Sequence, residues 1–157
     1  MKSIVPCLWF DANAEEAATF YVSLLPESRI DAVHRAPADY PSGKAGAVLT
    51  VEFTLLGRPF LGLNGGPRFT FNEALSFQIP VETQAEVDRL SDALSAVPAA
   101  EQCGWVKDRF GLSWQIVPVQ LVRLICDPDP LRAKRVFTAM MGMKRINIAA
   151  ILAAAEA

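Results

Sequence analysis

The chain contains a single histidine, His34. That excludes a three-His site, a two-His-one-carboxylate site and HExxH within one chain, since each needs at least two imidazoles. The cysteines Cys7, Cys103 and Cys126 are odd in number, widely spaced and without CxxC. They argue against a disulfide framework or a thiolate metal cage. Carboxylate, thiol, amide and aromatic chemistry remain. Glu52 lies in residues 47–55, where Leu49, Val51, Phe53 and Leu55 alternate with Thr50, Glu52 and Thr54. On the polar face of such a strand, a carboxylate set in a cleft can act as a general base; in the open it is a solvated charge or a cross-strand pair. Cys103 stands before Gly104 and Trp105. As a nucleophile it needs a base or a positive environment, whereas as a buried free thiol it needs neither.

Aromatic and amide residues supply binding rather than bond-making chemistry. Trp105 offers a flat apolar wall with one N–H donor, as does Trp114, which alternation turns away from Gln115 and towards the core. Alternation also sends Trp9 to the core. Asn64, Gln78 and Gln115 can ring a cleft with neutral amides, which orient a small polar ligand without activating it, or can satisfy one another internally. His34 precedes a loop and reads as a surface or loop-anchoring residue. Other chemistries lack their signal. The nine glycines never form GxG, and residues 41–46 (PSGKAG) have the wrong spacing for a P-loop. Gly111-Leu-Ser113-Trp-Gln115 misses the nucleophile elbow at its last position.

These residues must be positioned by recurring elements. Residues 4–10 read as a strand. Asn13 with Glu16 resembles a capping box, and Ala14, Ala17, Ala18, Tyr21, Leu24 and Leu25 follow at helical spacing up to Pro26. Residues 28–35 and 47–55 read as strands around a loop rich in turn formers. Gly57-Arg58 reads as a hairpin turn into a strand at 59–64, and Gly65-Gly-Pro67 closes the unit. The plan then repeats: a strand at 74–81, a capping box at Thr83 and Glu86, a stripe of Val87, Leu90, Leu94 and Val97, and strands at 101–108 and 112–117. Asn13 to Glu16 and Thr83 to Glu86 are offset by 70 residues. Such internal repetition is a specific architectural signal. Residues 118–157 read as helical, with Asp129-Pro130 a strong start and Ala133, Val136, Phe137, Met140 and Met141 a core stripe.

At 157 residues the chain suits one domain or two small lobes. Hydrophobic residues make up 52% and charged residues 20%, a globular composition that rules out disorder. A net charge of −2 leaves no basic footprint for nucleic acid. Apolar runs are too short for a membrane span and the N-terminus too short for a signal peptide, so a cytoplasmic protein is expected.

Pro6-Cys-Leu-Trp-Phe-Asp11, the helix ending Phe20-Tyr21, Val51-Glu-Phe-Thr, Leu63-Asn-Gly-Gly-Pro67 and Trp114-Gln-Ile-Val-Pro118 together resemble the PhnB-like branch of the vicinal oxygen chelate superfamily. Glyoxalase I, bleomycin-resistance proteins and extradiol dioxygenases belong to that superfamily, and this branch often carries the label 3-demethylubiquinone 3-methyltransferase-like. The resemblance spans residues 3–118 and extends to the helical tail. It implies an α+β fold of paired βαβββ modules forming U-shaped sheets, with a C-terminal helical tail. The expected domain is 1–118, with modules 1–67 and 73–118, followed by a helical extension at 119–157. The resemblance also implies a cleft across paired modules, often in a dimer. Its three metal-ligand positions fall on Pro6, Ser76 and Gln115, none of them a carboxylate or imidazole.

The expected function is therefore a small-molecule-binding homodimer without metal or other cofactor, and without nucleic-acid or membrane partners. The expected ligand contacts are Phe10, Glu52, Asn64, Gln78, Cys103, Trp105 and Gln115. The alternative is an enzyme of the same superfamily (a lyase, isomerase or transferase), metal-free through Glu52 or Cys103 or with a metal site of shifted register.

Overall fold

The alternating residues around Glu52 become the third strand of a four-stranded sheet. A computed structural model describes residues 3–157, and the chain divides into two compact units, Met1–Phe71 and Asn72–Ala157. The first unit runs β1 (Cys7–Phe10), α1 (Ala14–Leu24), β2 (Arg29–Arg35), β3 (Val48–Leu55) and β4 (Arg58–Asn64). Its sheet order is β1-β4-β3-β2, with β1 parallel to β4 and the other pairs antiparallel. Val51, Phe53 and Leu55 are buried with Ala14, Ala17, Ala18 and Tyr21 of α1, which leaves Glu52 on the other face. The hairpin turn falls one residue earlier than expected. Leu56 and Gly57 both have positive φ, 48° and 74°, the conformation that matches the twist of a two-residue hairpin.

The capping of α1 departs from expectation. The Asn13 side chain makes no capping bond. The Ala14 N–H instead donates to Asn64 Oδ1 at 2.9 Å, and Asn64 Nδ2 donates to the Val48 carbonyl at 2.9 Å. One buried amide thus caps a helix 50 residues away and ties β4 to the start of β3.

The second unit runs β5 (Ser76–Val81), α2 (Gln84–Leu94), β6 (Trp105–Lys107), β7 (Ser113–Pro118), α3 (Val119–Ile125), α4 (Pro130–Met141) and α5 (Ile148–Glu156). Its sheet order is β5-β7-β6, with β5 parallel to β7 and β6 antiparallel to it. Helix α2 starts 70 residues after α1 and ends 70 residues after it. Its capping box is complete: Glu86 N–H donates to Thr83 Oγ1, and the Glu86 carboxylate accepts from Thr83 N–H. Hydrogen bonds from the Glu82 and Thr83 amides hold that carboxyl below its ordinary pKa.

This sheet has three strands, so the second module is βαββ. The strand expected over residues 101–108 shrinks to Trp105–Lys107. The reason is local. Cys103 and Gly104 take positive φ, 50° and 85°, and their N–H groups donate to the carbonyls of Met143 and Lys144 rather than to a strand. A strand also forms over only the last four residues of 4–10, with Ile4 almost fully exposed. In the tail, Leu121, Leu124, Val136, Ile146, Ile151 and Ala155 form one buried cluster, against which Val117 of β7 packs. Phe137 and Met141, expected in the core, are about half exposed at 51% and 49%. Among the described residues, no helix is long and apolar enough to cross a membrane.

Candidate functional site

Strand register assigns each side chain to a face. In the first unit His34, Thr50, Leu63 and Trp9 form one row across β2, β3, β4 and β1, and Ala32, Glu52, Leu61 and Cys7 form the next. Both rows lie on the face opposite α1. His34 Nε2 and Glu52 Oε1 are 3.0 Å apart, each side chain about half exposed. This pair was not legible beforehand, because two irregularities in β2 set the register that joins them. Cys7 carries no activation: burial pushes its thiol pKa up.

Phe10 and Asn64 lie on the α1 face. Phe10 is 3% exposed and packs edge-to-face on Phe71 with centroids 5.3 Å apart. The expectation that it shares a face with Glu52 is corrected: the phase of β1 turns Trp9, not Phe10, to the open side. Trp9, expected in the core, is half-buried beside a cavity of 520 Å³. Leu49, Leu63 and Tyr40 line the cavity with it, and Asn64 reaches the wall although its amide is committed to the helix cap.

The cavity wall is built by two close approaches. The Trp9 indole N–H donates to the Gly66 carbonyl at 2.7 Å, and its ring meets Phe69 edge-on at 5.0 Å. A Cβ on Gly65 would lie 2.4 Å from that ring, and one on Gly66, at φ 97°, 2.5 Å from Ser42 Cβ. The motif Leu63-Asn-Gly-Gly-Pro67 is therefore a seat for Trp9. Opposite it, Tyr40 and Gly43 exchange two backbone hydrogen bonds around Pro41-Ser42, and the Tyr40 ring lies over Gly43.

In the second unit, register places Gln78, Gln115 and Trp105 side by side on the face opposite α2. Gln78 Nε2 donates to Gln115 Oε1 at 3.2 Å, and Gln115 Nε2 donates to Ser76 Oγ at 2.8 Å. Trp114 is 2% exposed and belongs to the core. Cys103 points to the helical segment, its thiol 3.5 Å from the Met140 carbonyl and 3.9 Å from the Met141 sulfur. Gln78 also borders a groove of 440 Å³ with Pro80, Val117, Val122 and Arg123. Among the described residues no three His, Cys, Asp or Glu side chains come together as a metal cage.

Comparison with known proteins follows the same architecture. A family model described as 3-demethylubiquinone-9 3-methyltransferase matches residues 2–117. The chain belongs to this family. The PhnB protein of Bacillus cereus is 32% identical, with 75% of this chain and 100% of that one covered and a TM-score of 0.63. A Pseudomonas aeruginosa protein shares the fold at 21% identity, covering 75% and 98% of the two chains with a TM-score of 0.58. Comparison with curated proteins finds no match. The PhnB-like resemblance carried by the motifs is thus shown, and the family match stops just before α3–α5.

The positions that the resemblance assigns to metal ligands do not fit a metal. Pro6 has no side-chain donor, and the Ser76 hydroxyl and Gln115 amide are hydrogen-bonded to each other. Nor does the Gly65-Gly66 turn of this family member form a cradle for a nucleotide cofactor. Both of its N–H groups donate to the Phe10 carbonyl, at 3.0 and 3.2 Å.

Proposed function

We propose that this PhnB-like protein binds a flat small molecule against Trp9 and does so without a metal ion. The observation that carries the reading is the cavity of 520 Å³ walled by Trp9, Tyr40, Leu49 and Leu63, large enough for a bicyclic ligand. Glu52 in the first unit, and Gln78, Cys103, Trp105 and Gln115 in the second, remain proposed ligand contacts, each taken within its own unit and apart from the Trp9 cavity; Gln78, Trp105 and Gln115 are supported by their shared face. The family's description names a methyltransferase. Methyl transfer is not part of this reading, since the Gly65-Gly66 amides are spent within the first unit.

The test is calorimetric titration with 2-naphthylmethanol, a neutral bicyclic probe. Trp9→Leu is expected to weaken binding roughly tenfold, as loss of an aromatic anchor does. Prior dialysis against EDTA is expected to leave the affinity unchanged. No binding by the wild-type protein, or a loss on chelation, would overturn the reading.

A second reading, a metal-free enzyme, rests on the 3.0 Å His34–Glu52 pair, which could move a proton at the open face. Glu52→Gln separates the two: capture without conversion is unchanged in the variant, whereas turnover that stops in it marks an enzyme.

We also propose a cytoplasmic homodimer, supported by three unpaired cysteines and by the exposed apolar side chains Leu131, Phe137 and Met141 of α4. Sedimentation is expected to give twice the chain mass of 17.1 kDa. A monomer at micromolar concentration would sink the dimer.

A further inference from the structure

We propose that the Trp9 cavity selects an aromatic carboxylate, with the ring on Trp9 and the carboxylate on Arg68. The proposal rests on the binding reading above and names its ligand class. Among the described residues, Arg68 is the one charged residue lining the cavity, and no acidic residue lines it. Its guanidinium sits over the Phe69 ring at 5.4 Å, and Phe69 in turn packs edge-on against Trp9 at 5.0 Å. The solvent-exposed Arg68 cation thus lies against the Phe69 ring at the edge of the cavity.

Competing partners are occupied. On the loop that carries Tyr40, Lys44 pairs with Asp39 at 2.9 Å. The Ala45 N–H and Lys44 hold the Asp39 carboxyl below its ordinary pKa, so it stays an anion satisfied within its own loop. The backbone donors at the rim are also committed: Gly65 and Gly66 N–H go to the Phe10 carbonyl, and the Trp9 indole N–H goes to the Gly66 carbonyl. With the Tyr40 and Ser42 hydroxyls neutral, Arg68 is left as the charged donor lining a mostly apolar, aromatic space. A planar guanidinium there matches a carboxylate in two parallel hydrogen bonds.

The experiment titrates the full chain with 2-naphthoate and with 2-naphthylmethanol, at low salt and at about 1 M salt. The acid is expected to bind roughly tenfold tighter at low salt, with the advantage fading at high salt. Arg68→Leu is expected to erase that preference, and Arg68→Lys to restore part of it. Trp9→Leu is expected to weaken both probes equally. Should Arg68→Leu fail to fold, the salt dependence of the wild type and the Lys variant decide alone. Equal affinities in the wild type, or a preference that survives Arg68→Leu, overturn the proposal while the alcohol still reports a binding cavity. Failure of both probes to bind overturns the cavity reading and this proposal together.

Discussion

Asp108→Ala is expected to destabilise the second unit by about 3 kcal/mol, from the loss of several buried hydrogen bonds to one carboxylate. Asp108 is 2% exposed. Its Oδ1 accepts the Phe110 N–H at 2.8 Å and the Leu112 N–H at 3.0 Å, and its Oδ2 accepts the Trp114 indole N–H at 2.8 Å. Alanine strands the Leu112 amide and the Trp114 indole, both of them buried residues, without an acceptor. Removing a buried charge returns part of the loss, which keeps the figure below the sum of three bonds. Asparagine has one carbonyl and one NH₂ where three donors converge, so Asp108→Asn should fall between wild type and Ala. Urea unfolding followed by far-UV circular dichroism checks this. A midpoint unmoved in Asp108→Ala would refute the assignment.

Asn64→Ala is expected to cost about 2 kcal/mol, combining a lost helix cap with the loss of a partly buried hydrogen bond to the Val48 carbonyl. The side chain is 5% exposed and bonds Ala14 N–H with its oxygen and the Val48 carbonyl with its nitrogen. Asn64→Asp keeps the acceptor at the N-terminus of α1, where a negative charge is favourable, and sets an oxygen against the Val48 carbonyl in place of the donor, a smaller loss than that of the cap. It should therefore lose less. Hydrogen exchange gives a local readout: the Ala14 amide should exchange faster in Asn64→Ala and stay protected in Asn64→Asp. Unchanged protection in the alanine variant would mean that the cap is not supplied by Asn64.

The two variants differ in what the sequence offers. Asp108 with Gly111 is a short-range pattern: an aspartate folds back onto amides two and four residues on, and Gly111 takes φ 85°. Asn64 acts on residues far away in sequence, and no local pattern announces it. The Asn13 and Glu16 pair has the composition of a capping box and yet forms none.

Local chemistry by itself determined a good part of this protein. The capping box at Thr83 and Glu86, the 70-residue offset of the two helices and the polar face of β3 follow from spacing alone. So do the faces of Gln78 and Gln115, because β5 and β7 are long enough for alternation to fix their phase, whereas Trp105 of the three-residue β6 joins them only through its pairing with Gln115. The tertiary structure decided the rest. Strand β1 has four residues, Cys7-Leu-Trp-Phe10, all apolar, so alternation carries no phase. The Trp9 side is set only by pairing with β4 and by the space that Gly65 leaves for its ring. The strand expected at Cys103 is broken because the connection between α4 and α5 offers its amides closer acceptors. His34 meets Glu52 through irregular pairing between β2 and β3, which short-range periodicity cannot register. Periodicity reports which side of an element is apolar. Which partner covers that side, and which amide or ring ends up at a cavity, depends on contacts between residues far apart in the chain.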